Sequence, residues 1–258
     1  MKKLLALTIA FVAIMMIVGC ESATTPDTPA VTATVITNGA GLTLTWSADD
    51  NADGFIIYHD DVAVDTVDGT SYTDTVPCKV IGVSAYAGDL ESDPDEINCT
   101  PTTTTSLTVY GNSDPDPAHH SGLTFNATSG TGVTTSLDST NWTALDFYFA
   151  DASPFTVLTL VNPGDHTPPY NSKLNTSGLD GTDFDAVIIC KLTGYNTQTD
   201  LATNNVYDLW LSSSATWTDQ DHFGKMKIES ITGSTAPYTA VVTVAYQKVA
   251  GLRWCMTP

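Results

Sequence analysis

Apolar and polar residues alternate with a period of two along most of the chain, which is the pattern of half-buried β-strands. In the segment LTLTWS, for example, Leu42, Leu44 and Trp46 fall on one face. Clusters of Gly, Asn, Asp and Ser separate these alternating segments, as expected of turns. Past residue 30 we find no helical period, so the pattern predicts an all-β chain.

The predicted strands form two groups on either side of the threonine-rich stretch TPTTTTS. The first group is predicted at 42–47, 54–67 (two strands that meet at Asp60-Asp61), 71–74 and 78–92. The second group is predicted at 106–111, 121–130, 141–150, 155–162, 185–192, 206–213, 224–232 and 238–249. This grouping predicts two β-sandwich-type domains, 29–100 and 106–258, of which the second is a larger sandwich or a partly open barrel. Residues 101–105 are predicted to be an extended linker, because β-branched threonine is stiff.

The chain begins with a short basic segment followed by an apolar one. Lys2 and Lys3 precede an apolar run of about 15 residues, 4–18, which is too short for a membrane span and has the length of a signal-peptide core. The run leads into IVGC, which ends at Cys20 and resembles the lipobox of bacterial lipoproteins.

The lipobox resemblance implies a signal peptide at 1–20, a lipid on Cys20 and a flexible tether at 21–28. It places the protein in a bacterial cell envelope, anchored by lipid at the outer membrane or the cell surface. An ordinary secretory signal with a chance cysteine is the alternative.

The chain is strongly acidic, with 29 Asp and Glu residues against nine Lys and Arg residues and a net charge of −20. Removal of Lys2 and Lys3 with the signal leaves seven basic residues and a net charge of −22. Such a surface repels nucleic acid. The expected partners are therefore the membrane, through the N-terminal lipid, and a small-molecule ligand or an extracellular glycan or protein.

The cysteine count agrees with an exported lipoprotein. There are five cysteines, and a lipid on Cys20 leaves an even number for disulfides in an oxidising compartment: Cys78, Cys99, Cys190 and Cys255. Four cysteines allow three different pairings.

The first domain resembles a fibronectin type III domain over about 70 residues. The resemblance rests on the strand with Trp46, the segment GFIIY with Tyr58, the segment TSYTD, and the strand and turn IGVSAYAGDLES. It implies a seven-stranded sandwich with Cys78 and Cys99 at the near ends of its last two strands. A disulfide there would close a loop of about 20 residues and stabilise the domain by about 3 kcal/mol. Cys190 and Cys255 are then expected to pair.

The second domain is similar to HmuY-type proteins, which are exported all-β lipoproteins that capture haem. The similarity rests on Trp142 to Phe149, on GKMKI at 224–228 and on VAYQ at 244–247. It implies haem as the cofactor.

Loop histidines are the expected ligands, because haem iron accepts imidazole nitrogen. His119 and His120 lie in DPDPAHHSG, His166 in NPGDHTPPY and His222 in TDQDHFGK, whereas His59 is expected at the surface. We expect His166 to bind haem together with His119 or His120. The alternatives are that these histidines are all solvated, or that they bind a divalent metal instead.

Calcium is the other ion for which the sequence contains a partial binding motif. Asp49, Asn51 and Asp53 match the first half of a calcium-binding loop. The residues that follow already belong to a predicted strand, so the loop cannot wrap an ion and we expect no calcium there.

No enzyme is expected. The chain has no nucleophile elbow, no zinc-protease motif and no phosphate-binding loop with a lysine. Asp180, Asp183 and Asp185 are predicted to be solvated loop residues rather than a catalytic pair. The sequence thus favours a binding protein that captures haem or a related ligand. The alternative is a structural or adhesive module that binds glycan or protein and no haem.

Overall fold

The computed structural model describes residues 24–47 and 50–257, which form an all-β chain of two sandwich-type units. The predicted fold class is confirmed. The signal segment, Cys20 and Asp49 lie outside the described residues. Helical structure in the described ranges consists of short 3-10 turns at Thr37–Gly39 and Pro163–Asp165, and no helix there is long and apolar enough to cross a membrane.

The first unit contains two antiparallel sheets. Its strands are β1 (Thr32–Val35), β2 (Leu42–Thr45), β3 (Gly54–His59), β4 (Val62–Val67), β5 (Ser71–Asp74), β6 (Val80–Ala87), β7 (Leu90–Glu91) and β8 (Asp95–Asn98). One sheet has the order β1-β2-β5, and the other has β4-β3-β6 with β7 and β8 both paired to β6. Leu42 and Leu44 of the first sheet meet Ile57, Ile81 and Val83 of the second in a buried core.

The turn between β3 and β4 explains why one apolar segment makes two strands. Asp60 and Asp61 have φ angles of +49° and +67°. Two-residue hairpins need positive φ, which aspartate tolerates better than most residues. The predicted junction at these two residues is confirmed.

The second unit is larger and also has two antiparallel sheets. Its strands are β9 (Thr102–Tyr110), β10 (Gly122–Phe125), β11 (Gly132–Thr135), β12 (Phe147–Ala150), β13 (Thr159–Val161), β14 (Thr176–Gly181), β15 (Gln198–Asp200), β16 (Val206–Leu211), β17 (His222–Thr232) and β18 (Thr239–Tyr246). The sheet orders are β11-β10-β12-β13-β15 and β14-β16-β17-β18-β9. Alternate residues such as Phe147, Phe149, Leu209, Met226 and Val244 fill the space between the sheets.

The expected linker at 101–105 differs from the structure. Residues 102–105 form the first half of β9, where Thr102, Thr103 and Thr104 pair with the end of β18. Threonine is β-branched and suits a strand, so the property that suggested an extended linker instead supports pairing. The ladder is irregular at Ser106, which has φ of +59°.

The predicted strand at 185–192 is wrong. In the structure this apolar segment makes one isolated bridge, between Ile189 and Trp254, and otherwise lies irregularly. It contributes Cys190 to a small cluster with Phe223 of β17, on the side of that sheet away from the main core. The segment is apolar because it is buried as a layer over β17. An alternating sequence pattern cannot distinguish such a layer from a strand.

The C-terminal tail crosses from the second unit into the first. Leu252 and Trp254 are fully buried and belong to the core cluster that contains Leu42 and Ile81. The Trp254 indole donates a hydrogen bond to the Ala40 carbonyl at 3.1 Å. The last residues of the chain thus complete the hydrophobic core of the first unit.

Gln247 fastens the junction between the units. Its side chain is fully buried, and its amide nitrogen donates to the carbonyl of Cys99 at 2.8 Å and to that of Trp254 at 2.7 Å. A buried amide that satisfies both partners holds them in one geometry. The end of β18, the end of the first unit and the tail are therefore joined at one point.

Candidate functional site

A cleft of about 440 Å³ lies at one end of the second unit, where the two sheets separate. We name it the His222 cleft, and the lining residues used below are Thr124, Phe125, Asp146, Lys173, Asn175, His222 and Tyr246. Its volume is in the range of small-ligand sites. Strand alternation puts these aromatic rings there, because Phe125, Tyr246 and His222 continue the core-facing sides of β10, β18 and β17.

Three rings form the wall of the cleft. Tyr246 stacks against Phe125 with ring centroids 5.0 Å apart and against His222 with centroids 5.1 Å apart. Burial is the main cause of the raised pKa of Tyr246. The phenol therefore stays protonated at physiological pH and can donate a hydrogen bond. The wall presents flat apolar surface beside polar groups.

The neighbouring backbone fixes the tautomer of His222. Its Nδ1 lies 3.0 Å from the Gln247 carbonyl oxygen. A carbonyl only accepts, so Nδ1 must carry the hydrogen, and in the neutral ring the lone pair then belongs to Nε2. The same arrangement holds the rings of metal-binding histidines in proteins. His222 is thus suited to offer one imidazole nitrogen to a ligand.

A partly buried ion pair lines the same cleft. Lys173 Nζ is 2.7 Å from Asp146 Oδ1 and also donates to the Ala144 carbonyl at 3.0 Å. Asp146 Oδ2 accepts from the Phe125 amide at 2.7 Å. Burial raises the pKa of Asp146, and the charge of Lys173 opposes this rise without cancelling it.

Polar groups complete the lining. Asn175 is buried, donates to the Asp146 carbonyl at 2.8 Å and accepts from the Ser212 amide at 2.9 Å. The Thr124 hydroxyl is buried and has no hydrogen-bond partner among the described residues.

The other expected histidines lie elsewhere. His119 stacks on Tyr110 with centroids 3.8 Å apart, and its Nδ1 is 3.0 Å from Asp114. The pKa of Asp114 is lowered by the Asp116 amide and by this histidine. His119 lines a cavity of about 230 Å³ in which His166 takes no part. His120, next in the chain, is half-buried.

His166 belongs to an aromatic layer outside the sheet that contains β12. It stacks on Tyr170 with centroids 3.9 Å apart, and its Nδ1 is 2.8 Å from the Pro168 carbonyl. Burial raises the pKa of the adjacent Tyr148 to about 12. The cavities described here do not bring His166 together with His119 or His120, so the expected pair of ligands is not assembled in them.

The structure also shows where His59 and Asp53 lie. His59 was expected at the surface, but it is mostly buried and paired with Asp74, which is itself buried. Asp53 accepts from the Gly88 amide at 2.8 Å, and β3 begins at the next residue, as expected for a loop that enters a strand. In the described ranges no group of three or more His, Cys, Asp and Glu side chains is arranged to hold a metal ion.

The four remaining cysteines are buried free thiols in this structure. Cys78 and Cys99 lie in the same core cluster, and Cys190 and Cys255 lie together in another, where the Cys190 thiol donates to the Gly224 carbonyl at 3.2 Å. Burial raises the pKa of Cys99 to about 12, which keeps the reduced thiol inert. The structure thus brings together the members of each expected pair, and the disulfides themselves stay a prediction.

Comparisons of the chain with models of known protein families, with curated proteins and with solved structures find no match. Function therefore has to be argued from the chemistry of the site. The sequence identified His222 as a candidate binding residue because imidazole is a common ligand group. No signal in the sequence identified Asp146, Lys173 or Asn175, which come together only through long-range packing.

The ion pair in the cleft predicts a pH dependence of stability. The pKa of Asp146 is higher in the folded chain than its unfolded value of about 3.9. Its stabilising contribution is therefore complete below about pH 4 and is lost as the pH rises through the raised pKa. The loss is about 1.4 kcal/mol for each tenfold difference between the acid dissociation constants of the folded and unfolded chain. Asp146→Asn removes this loss.

Urea unfolding at about pH 4 and about pH 8 measures the effect. The free energy of unfolding of wild type should fall relative to that of Asp146→Asn between the two values. Asp183→Asn, at an exposed loop position, should behave as wild type. Parallel pH profiles for wild type and Asp146→Asn would show that the carboxyl is not perturbed in the fold.

Proposed function

We propose that this chain is a lipid-anchored ligand-binding protein of a bacterial cell envelope. In this proposal a lipid on Cys20 holds the chain, the first unit is a fibronectin type III-like spacer, and the second unit binds ligand in the His222 cleft. The observation that carries the binding role is the cleft itself. It opens at the end of the main core and combines stacked rings, an oriented imidazole and a partly buried ion pair.

Haem or a related metal-bearing ligand is the first candidate. The fit rests on His222, whose Nδ1 donates to a backbone carbonyl and leaves Nε2 for iron. Tyr246 and Phe125 supply flat apolar surface for a macrocycle. The cleft contributes one histidine, so we propose binding through a single imidazole instead of the expected pair.

A glycan is the second candidate. Lys173 and Asn175 add hydrogen-bonding groups to the lining that also contains the aromatic wall. Sugars present both hydroxyl groups and apolar faces, so such a surface suits them as well.

Titration of the purified protein with haemin separates the two candidates. We expect a shifted Soret band with wild type, loss of that shift in His222→Ala, and an unchanged shift in His166→Ala, whose ring lies outside the cleft. Circular dichroism of each variant checks that the sheets persist. A Soret region that stays flat with wild type, or that responds to His166→Ala and not to His222→Ala, contradicts haem binding in this cleft. Retention on a glycan array that depends on Asn175 would then support the second candidate.

The anchor has its own test. Cells that express the full chain and are fed an alkyne fatty acid should label wild type but not Cys20→Ser, and only wild type should sediment with membranes. Equal labelling and sedimentation of both proteins would exclude Cys20 as the site of the lipid.

A further inference from the structure

A lysine and an aspartate face each other on the side of β16 and β17 that points away from the main core. Asp208 and Lys225 are direct cross-strand partners in the antiparallel ladder. Both are buried, with exposures of 1% and 0%. The irregular segment 182–196 and the end of the tail cover them: Phe184 and Val187 supply two of the contacts described next.

The amine of Lys225 is buried, and no carboxylate in the described part of the chain pairs with it. Its hydrogen bonds go to the carbonyl oxygens of Phe184 and Val187, the latter at 2.9 Å, and to the Thr257 hydroxyl at 3.4 Å. It also lies 4.3 Å from the centroid of the Phe184 ring. Burial lowers the pKa of this lysine, which favours the neutral and nucleophilic amine.

The carboxyl of Asp208 is only half satisfied. Its Oδ2 accepts from the Lys191 amide at 2.9 Å, whereas Oδ1 is buried and accepts no hydrogen bond from any residue that the structure describes. Burial is the main reason that the pKa of Asp208 is raised to about 7, and the neighbouring carboxyl of Asp180 contributes to this rise. The carboxyl of Asp180 is itself paired with the Lys191 ammonium.

These groups are costly to bury as they stand. An amine and a carboxyl that are both removed from water, with no contact between them, lose hydration and gain little from each other. Opposite residues in an antiparallel ladder have Cβ atoms about 5 Å apart, which a lysine side chain spans easily. A covalent amide would remove both ionisable groups at once.

We propose that Lys225 Nζ and Asp208 Cγ condense into an intramolecular isopeptide bond that links β16 to β17. The amine leaves the carbonyls of Phe184 and Val187 and turns toward its cross-strand partner. Its lone pair forms the C–N bond to Cγ. The C–O bond to the Asp208 hydroxyl breaks, and a proton from the amine leaves with that hydroxyl as water.

In this step Asp180 positions the reacting groups and transfers the proton between them. As a carboxylate it takes the proton from the nitrogen and returns it to the departing hydroxyl, so its own charge is unchanged at the end. The reaction is a condensation, and it needs no oxidant or co-reactant. It is independent of the His222 cleft and adds a covalent cross-link that reduction cannot open.

Peptide mapping of the full chain after thiol reduction and trypsin digestion tests the bond. Unlinked chain is cut after Lys191 and Lys225 and gives peptide 192–225, which contains Asp208. Linked Lys225 resists trypsin, so the expected product is peptide 192–227, one water lighter than its sequence mass. The N-terminal processing of the chain does not affect this region.

Variants assign the bond to its residues. Lys227→Ala, two residues further along the same strand, should keep the loss of water, although its peptide then extends to the next basic residue. Asp208→Ala should restore the full mass and cleavage after residue 225. Asp180→Asn should leave part of the chain unlinked. Wild type that gives only peptide 192–225 at full mass would overturn the proposal, whatever the folding of the variants.

Discussion

The structure depends on one packing interaction between distant parts of the chain: Trp254 of the tail inserts into the core of the first unit. Its indole is fully buried beside Leu42 and Ile81 and is hydrogen-bonded to the Ala40 carbonyl. Removing a buried tryptophan side chain costs about 3–5 kcal/mol, a large fraction of the stability of a small β-sandwich. The core of the first unit is thus completed by residues that are distant from it in the sequence.

This constraint reaches the cleft through Gln247. Its side-chain amide holds the junction by bonding Cys99 and Trp254, while its backbone carbonyl fixes the ring of His222. The residue before it, Tyr246, is part of the aromatic wall. One short stretch at the end of β18 therefore sets both the position of the first unit and the geometry of the site. The orientation of the first unit is therefore tied to that of the second.

The sequence predicted the features that depend on local pattern. Alternation identified most strands, and two aspartates at positive φ made the β3–β4 hairpin where it was expected. Features that depend on distant residues were missed. Residues 185–192 have the composition of a strand but form an irregular layer over β17. Asp180 was expected in solvent but is largely buried beside Lys191. Imidazole chemistry identified His222, but its partners Asp146 and Lys173 meet only in the folded chain.

Hydrogen exchange followed by mass spectrometry tests most directly whether the tail completes the first unit. Trp254→Ala should lose protection in β2 and β6 of the first unit, whereas Trp142→Ala, in a half-buried loop of the second unit, should leave both strands protected. Unchanged protection of β2 and β6 in Trp254→Ala would mean that the first unit folds without the tail and that the units are joined only by the chain.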